Sequence, residues 1–391
     1  MIPDLENAGL DEIRALAIVG IAAIIAALST PMVIRFARSI GAFDQPNERK
    51  VSDRAAMPLL GGIAVWLGCS GGLLAAHFLS EVGEFSPEIG GFALGATLLV
   101  AIGAWDDRLS MPAVAKFGLQ ILVAGIAVYS GFGVNFFSNP ITGTVYDIPA
   151  WILWPVSILW IVGVTNAMNL IDGLDGLSSG LGAIIAATLT IICWQAEQWT
   201  GVVIGLALFG ALIGYLPFNF PPARIFLGDT GSLLIGFGLA LLALQGYRKT
   251  AFLAFIVPML ALAIPLLDTS LSILRRLRSG RGVFAADRLH MHHRLLHREG
   301  SHKNAVLLLY FLTSCFCMIA VSFSQIDGWL AFIYLAAVVG VTIRLLRNLD
   351  AFALEVHRGA PHESEGQSPG ASAAPAASLE TGTNKEGDLA G

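Results

Sequence analysis

The sequence predicts an all-α, polytopic transmembrane bundle of about eleven spans, with its polar chemistry gathered in loops on the cytoplasmic face. Three observations predict it. The 391-residue chain is 55% hydrophobic and only 13% charged, against about 25% charged for a soluble domain. Apolar runs of roughly 17–25 residues recur along it, the length that crosses about 30 Å of hydrocarbon. The basic residues fall on one side of those runs. With the N-terminus on side one, side two holds 20 of the 23 Lys and Arg. The positive-inside rule makes side two cytoplasmic. An apolar soluble protein does not fit, because so many long runs lack an amphipathic stripe.

The expected spans are 13–36, 59–80, 89–105, 112–130, 149–165, 181–195, 200–217, 232–247, 251–274, 304–322 and 328–348, of which 181–195 is the shortest. Residues 1–350 form the membrane domain. Residues 351–391 are rich in Ala, Gly, Ser, Pro and Glu and read as a disordered cytoplasmic tail. The net charge of -5 arises at the two ends, which are both acidic, while the basic residues cluster between them. The N-terminus is acidic and does not read as a signal peptide. The four cysteines, Cys69, Cys193, Cys315 and Cys317, lie in apolar runs without CxxC spacing and read as packing residues.

Asn166–Gly180, NAMNLIDGLDGLSSG, holds Asn166, Asn169, Asp172 and Asp175 and no basic residue. Carboxylates beside hydrocarbon are costly unless a cation joins them, and carboxylate and amide oxygens suit a hard divalent metal. Spacings of three residues set the four polar groups along one face of a helical backbone. A Gly-rich turn with Asx caps is the plainer reading.

Four more side-two loops carry polar groups. Arg49, Lys50 and Arg54 suit headgroup anchoring, and Pro58, Gly61 and Gly62 suggest close backbone approach. Asp106 and Asp107 follow a helix C-terminus, where the dipole disfavours a carboxylate pair, so they either cap the next helix or hold a cation. Lys116, one turn into the following span, reaches a phosphate at the membrane surface or simply snorkels. Asp229 lies between Gly228 and Gly231 at the start of a span, a position typical of an ordinary cap. GDTGS has no Lys and follows no strand, so it is not a P-loop. Phe226 offers a flat face to a nucleobase, or packs in the core. The loop 275–303 carries eight basic residues, among them Arg288 and Arg294, interleaved with His290, His292 and His293. The arginines argue against zinc and for an anion cradle. Asp268, the one clear intramembrane acid, lies near the cytoplasmic end of its span.

An acidic cluster for a divalent metal beside a basic cluster for a polyanion is the equipment of phosphoryl transfer. A transporter would place such groups nearer the bilayer midplane. The run of aspartates that marks CDP-alcohol phosphatidyltransferases is not visible.

The segments AAMPLLGG, DDRLSMPAVAKF, NAMNLIDGLDGL, NFPPARIFLGDTGSL, PLLDTSLSILRR and DRLHMHHRLL, in this order, resemble the polyprenyl-phosphate N-acetylhexosamine-1-phosphate transferases. The HMHH run is similar to the bacterial branch that begins cell-envelope polysaccharides such as O-antigen. The peptidoglycan branch, phospho-N-acetylmuramoyl-pentapeptide transferase, usually has three consecutive histidines there and is the runner-up. The resemblance implies transfer of N-acetylglucosamine 1-phosphate from UDP-N-acetylglucosamine to undecaprenyl (or decaprenyl) phosphate, releasing UMP, with Mg²⁺ or Mn²⁺. It implies Asp229 and Asn169 as metal ligands, Phe226 against uracil, and Lys116 with Arg288, His290, His292, His293 and Arg294 on the diphosphate. Asp106, Asp107 and Asp172 are the catalytic candidates. The acceptor monoester is mostly dianionic at pH 7, with a second pKa of about 6, so direct attack favours positioning over proton removal by Asp106 and Asp107. A covalent phospho-aspartate is the alternative. Expected partners are both substrates and membrane lipid in the bacterial inner membrane. A second copy of the chain is left open, and no nucleic acid is expected.

Overall fold

The computed structural model describes residues 10–44, 57–80, 86–134, 136–138, 145–246, 256–280, 291, 295–296, 300–324 and 329–348. Twelve helices run through them: α1 (Glu12–Ser39), α2 (Gly61–Leu79), α3 (Pro87–Leu109), α4 (Ala113–Tyr129), α5 (Ala150–Ile171), α6 (Leu177–Gln195), α7 (Trp199–Asn219), α8 (Gly228–Gly246), α9 (Ile256–Ala261), α10 (Ala263–Arg278), α11 (His302–Phe323) and α12 (Trp329–Asn348). Two short antiparallel ribbons join them. β1 (Phe43–Asp44) pairs with β2 (Met57–Pro58), and β3 (Phe136–Ser138) with β4 (Val145–Asp147).

Among the described residues, eight helices are long and apolar enough to cross a membrane: α1, α2, α3, α5, α6, α7, α8 and α11. The other three expected spans take different forms. The run 112–130 becomes the 17-residue α4, and 328–348 becomes α12, whose apolar stretch is Ile333–Arg344. The run 251–274 is broken between α9 and α10. Proline causes the break. Pro265 has no N–H to give the carbonyl of Ala261 four residues back. The thiol of Cys317 on α11 takes that oxygen instead, at 3.8 Å, as a broken helix in lipid requires. The expected tail, 351–391, lies outside the described residues.

The bundle is built around α8, which is buried along almost its whole length and packs against α2, α3, α5, α6 and α7. Its neighbours turn apolar side chains outward: Leu74 and Phe78 on α2, Leu94 on α3 and Leu159 on α5 are all exposed. Outward apolar faces around a buried apolar centre suit a hydrocarbon solvent. Glycine permits the close packing. A Cβ on Gly62 of α2 would lie 2.2 Å from the Gly231 nitrogen, and one on Gly103 of α3 would lie 2.4 Å from Thr230 Cα. Both contacts are at the first turn of α8, so the two glycines let α2 and α3 close on the end that carries Asp229.

Candidate active site

The site forms where the end of α3 meets the start of α8. Asp107 Oδ1 accepts from the Asp229 amide at 2.8 Å, and Oδ2 accepts from the Thr230 amide at 3.2 Å and the Thr230 hydroxyl at 2.6 Å. Asp107 is thus an N-cap supplied by another helix, and the positive end of α8 offsets its charge. Gly228 is required here. Its φ of +70° favours glycine, and a Cβ would lie 2.3 Å from Asp107 Oδ2.

Because Asp107 caps α8, the Asp229 side chain is left for other work. Its Oδ2 meets Lys116 Nζ, and its Oδ1 accepts from Asn169 Nδ2 at 2.6 Å. Asn169 Nδ2 also reaches Ser232 Oγ at 2.8 Å. Lys116 Nζ donates to Asp106 Oδ2 at 2.9 Å, and Asp106 Oδ1 accepts from the Met111 amide at 2.5 Å. The pair at the end of α3 has therefore divided its duties. Asp107 serves α8, while Asp106 secures the turn into α4 and faces the lysine. All three partners are largely withdrawn from water: the side chains of Lys116, Asp106 and Asp229 are 15%, 14% and 27% exposed.

The stretch 166–180 does not present its four polar groups along one helical face. α5 ends at Ile171 with Asp172 as its C-cap, ahead of Gly173, so the helical spacing stops there. Each group has its own place. Asn166 Nδ2 braces α5 to α4 through Gln120 Oε1 at 2.5 Å. Asn169 joins Asp229. Asp172 lines the cavity described below. Asp175, 7% exposed, holds the α7–α8 loop by accepting from the Ala223 amide at 3.1 Å. Further bonds brace the same loops: Ser179 Oγ to Asn219 Oδ1 at 2.6 Å, Asn219 Nδ2 to the Ile225 carbonyl at 2.9 Å, and the Tyr310 hydroxyl of α11 to the Gly176 carbonyl at 2.5 Å. The β1–β2 ribbon joins them as well. Phe226 N donates to the Pro58 carbonyl at 2.9 Å, and Gly61 N donates to the Phe226 carbonyl at 3.0 Å.

These loops enclose a cavity of about 360 Å³ lined by Asp106, Asp107, Asn169, Asp172, Phe226 and Asp229 among others. Six of the predicted site residues thus share one chamber, with Lys116 bonded to two of them. Arg288, His290, His292, His293 and Arg294 lie outside the described residues, as do Arg49, Lys50 and Arg54. Between them, Met291 is buried, and its amide donates to Asp268 Oδ1 at 2.7 Å. Asp268 therefore ties α10 to the basic loop. The cavity also takes in Asp44, Ser110, Asn219 and His302, which sequence reasoning did not select. Asp44 and His302 each flank an apolar run on side two, the one signal that marked them.

Among the described residues, no three or more His, Cys, Asp or Glu are grouped as a metal cage. The donor set is smaller: Asp106 and Asp229 converge on Lys116, with the Asn169 amide beside Asp229. One or two carboxylates that leave room for water and substrate phosphate are what Mg²⁺ takes. The charges agree, since Asp106 and Asp229 share one lysine and Asp107 lines the same cavity. The residues fit a divalent cation.

Residues 89–247, which run from α3 to the end of α8, match the sequence pattern described as glycosyl transferase family 4. The chain is 36% identical over 303 residues to a probable undecaprenyl-phosphate N-acetylglucosaminyl 1-phosphate transferase of Bacillus subtilis, covering 77% of this chain and 83% of that one. It is 34% identical over 363 residues to a decaprenyl-phosphate N-acetylglucosaminephosphotransferase of Mycolicibacterium smegmatis, covering 85% and 89%. It is 28% identical over 296 residues to the undecaprenyl-phosphate alpha-N-acetylglucosaminyl 1-phosphate transferase of Escherichia coli K12, covering 73% and 78%. With the α3–α8 carboxylate site lying inside the matched segment, the chain belongs to the polyprenyl-phosphate N-acetylhexosamine-1-phosphate transferases.

Proposed function

We propose that the chain transfers N-acetylglucosamine 1-phosphate from UDP-N-acetylglucosamine to a polyprenyl phosphate of the undecaprenyl or decaprenyl type, releasing UMP. The observation that carries this reading is the junction of Asp106, Lys116, Asn169 and Asp229 in one cavity at the loop end of the bundle. A charged, water-soluble donor and a lipid acceptor meet at such a place. Clustering of Lys and Arg on this side supports a cytoplasmic site.

Asp229 and Asn169, with Asp106 opposite, would hold Mg²⁺. The ion would neutralise the donor diphosphate and the charge that develops on the leaving UMP. In the reaction an oxygen of the lipid phosphate bonds to the β-phosphorus. The bond from that phosphorus to the bridging oxygen breaks, and its electron pair leaves with UMP. The acceptor dianion needs no proton removed, with its second pKa at about 6. Asp106 is accordingly a positioning group, bonded to Lys116 and the Met111 amide. Asp107 is a poor nucleophile, because three donors occupy its two oxygens. Phe226 lines the cavity and offers uracil a flat apolar face.

The test incubates purified protein with undecaprenyl phosphate and either UDP-N-acetylglucosamine or UDP-N-acetylmuramoyl-pentapeptide, with Mg²⁺. UMP should appear with the first donor and not with the second. The reverse preference would overturn the reading. Mixing enzyme with donor alone tests the direct route: a stoichiometric burst of UMP without lipid would rule it out.

A further inference from the structure

The cavity wall has a marked charge asymmetry. Asp44, Asp106, Asp107, Asp172, Asp175 and Asp229 all line it, and among the described lining residues His302 is the one with a basic side chain. Lys116 is already shared by Asp106 and Asp229. His302 is the first residue of α11, whose first turn has no acid and whose N-cap Ser301 makes no side-chain capping bond. Its Nδ1 is shut off from water and has no hydrogen-bond partner. A buried polar atom left unpaired is expensive, and native proteins keep few of them. No carboxylate is bonded to the ring at that nitrogen, although six line the same chamber.

We propose that His302 is a substrate-binding residue that hydrogen-bonds an anionic phosphate oxygen of the nucleoside diphosphate-sugar. This rests on the donor assignment proposed above and adds to it a contact from α11, on a helix outside the matched segment 89–247. The imidazole supplies a basic donor on a wall to which six aspartates contribute and to which no other described lining residue adds a basic side chain. The N-terminus of α11, with its free amides and dipole, favours the same charge.

The test compares wild type, His302→Ala and His302→Gln in steady-state kinetics with each substrate varied in turn, alongside binding of UDP to the Mg²⁺-loaded protein by calorimetry. Gln retains a side-chain N–H of similar reach. A hydrogen bond to a charged group carries about tenfold to a hundredfold in affinity. His302→Ala should raise KM for UDP-N-acetylglucosamine, and Kd for UDP, by about tenfold or more. KM for polyprenyl phosphate should stay within twofold, and Gln should recover part of the loss. Folding is followed by Tm in detergent, and His302→Gln keeps the test usable if the alanine variant unfolds. A donor KM within twofold of wild type in a folded variant would overturn the inference, as would a change confined to the acceptor KM. If wild type itself releases no UMP, the proposed function fails instead, and UDP binding still reports on His302.

Discussion

At the scale of single residues, the proposed chemistry turns on Asp229. The cap from Asp107 keeps it off its own helix terminus, and Asn169 and Lys116 orient it. Asp229→Asn should fold normally yet lose turnover by about a hundredfold or more, since even outer-shell partners of a metal carry 10–100-fold. A second readout is independent of turnover. Added Mg²⁺ should raise the Tm of the wild type by mass action, and this rise should vanish in Asp229→Asn. Near-normal activity of that variant across Mg²⁺ concentrations would contradict the assignment. Asp107→Ala removes a cap rather than a ligand. It should lower stability by about 0.5–2 kcal/mol, measured by thermal unfolding in detergent, and reduce activity because Asp229 loses its fixed position.

At the scale of elements, the site depends on how closely α2 and α3 approach the first turn of α8. Neither Gly62 nor Gly103 has room for a methyl group. Gly62→Ala and Gly103→Ala should each cost about 1–3 kcal/mol, the usual penalty of overpacking. Both should lower kcat, although neither residue touches substrate; an unchanged Tm for both would show that the helices can part freely. This scale also separates what the sequence makes legible from what it hides. Helices and the polar loops between them can be read because hydropathy and charge are local signals. The division of labour between Asp106 and Asp107 cannot. Adjacent, identical side chains part only when α8 arrives from more than a hundred positions later. The break at Pro265 left a weak sequence mark, yet a long apolar run masked it. Asn166–Asp175 read as one face because spacing was the only guide, whereas Gly173 and Gly176 let the chain turn after α5. His302 carried no motif; its place on the cavity wall and its unpartnered Nδ1 single it out.

For the whole molecule, the buried α8 and the outward apolar faces of its neighbours describe a body solvated by lipid, with the β1–β2 ribbon and the described loops after α3, α5 and α7 joined at one end. Orientation is testable in intact cells with a membrane-impermeant maleimide. Ser52→Cys should be protected and Glu84→Cys labelled. The native thiols give little background, since Cys69, Cys193 and Cys317 are buried and Cys315 is half-buried. The opposite pattern would put the site on the outer face, away from its soluble donor. Chelation of divalent ions should abolish turnover, and Mg²⁺ should restore it.

In the proposed reaction a sugar 1-phosphate, and not the sugar alone, moves to the lipid. UDP-N-acetylglucosamine labelled with ³²P at the β-phosphorus tests it directly. The label should enter the organic phase as lipid diphosphate-sugar, with unlabelled UMP formed in equal amount. Label remaining in the water phase as UDP while sugar enters the lipid would contradict it, because the bond broken would then be the glycosidic one.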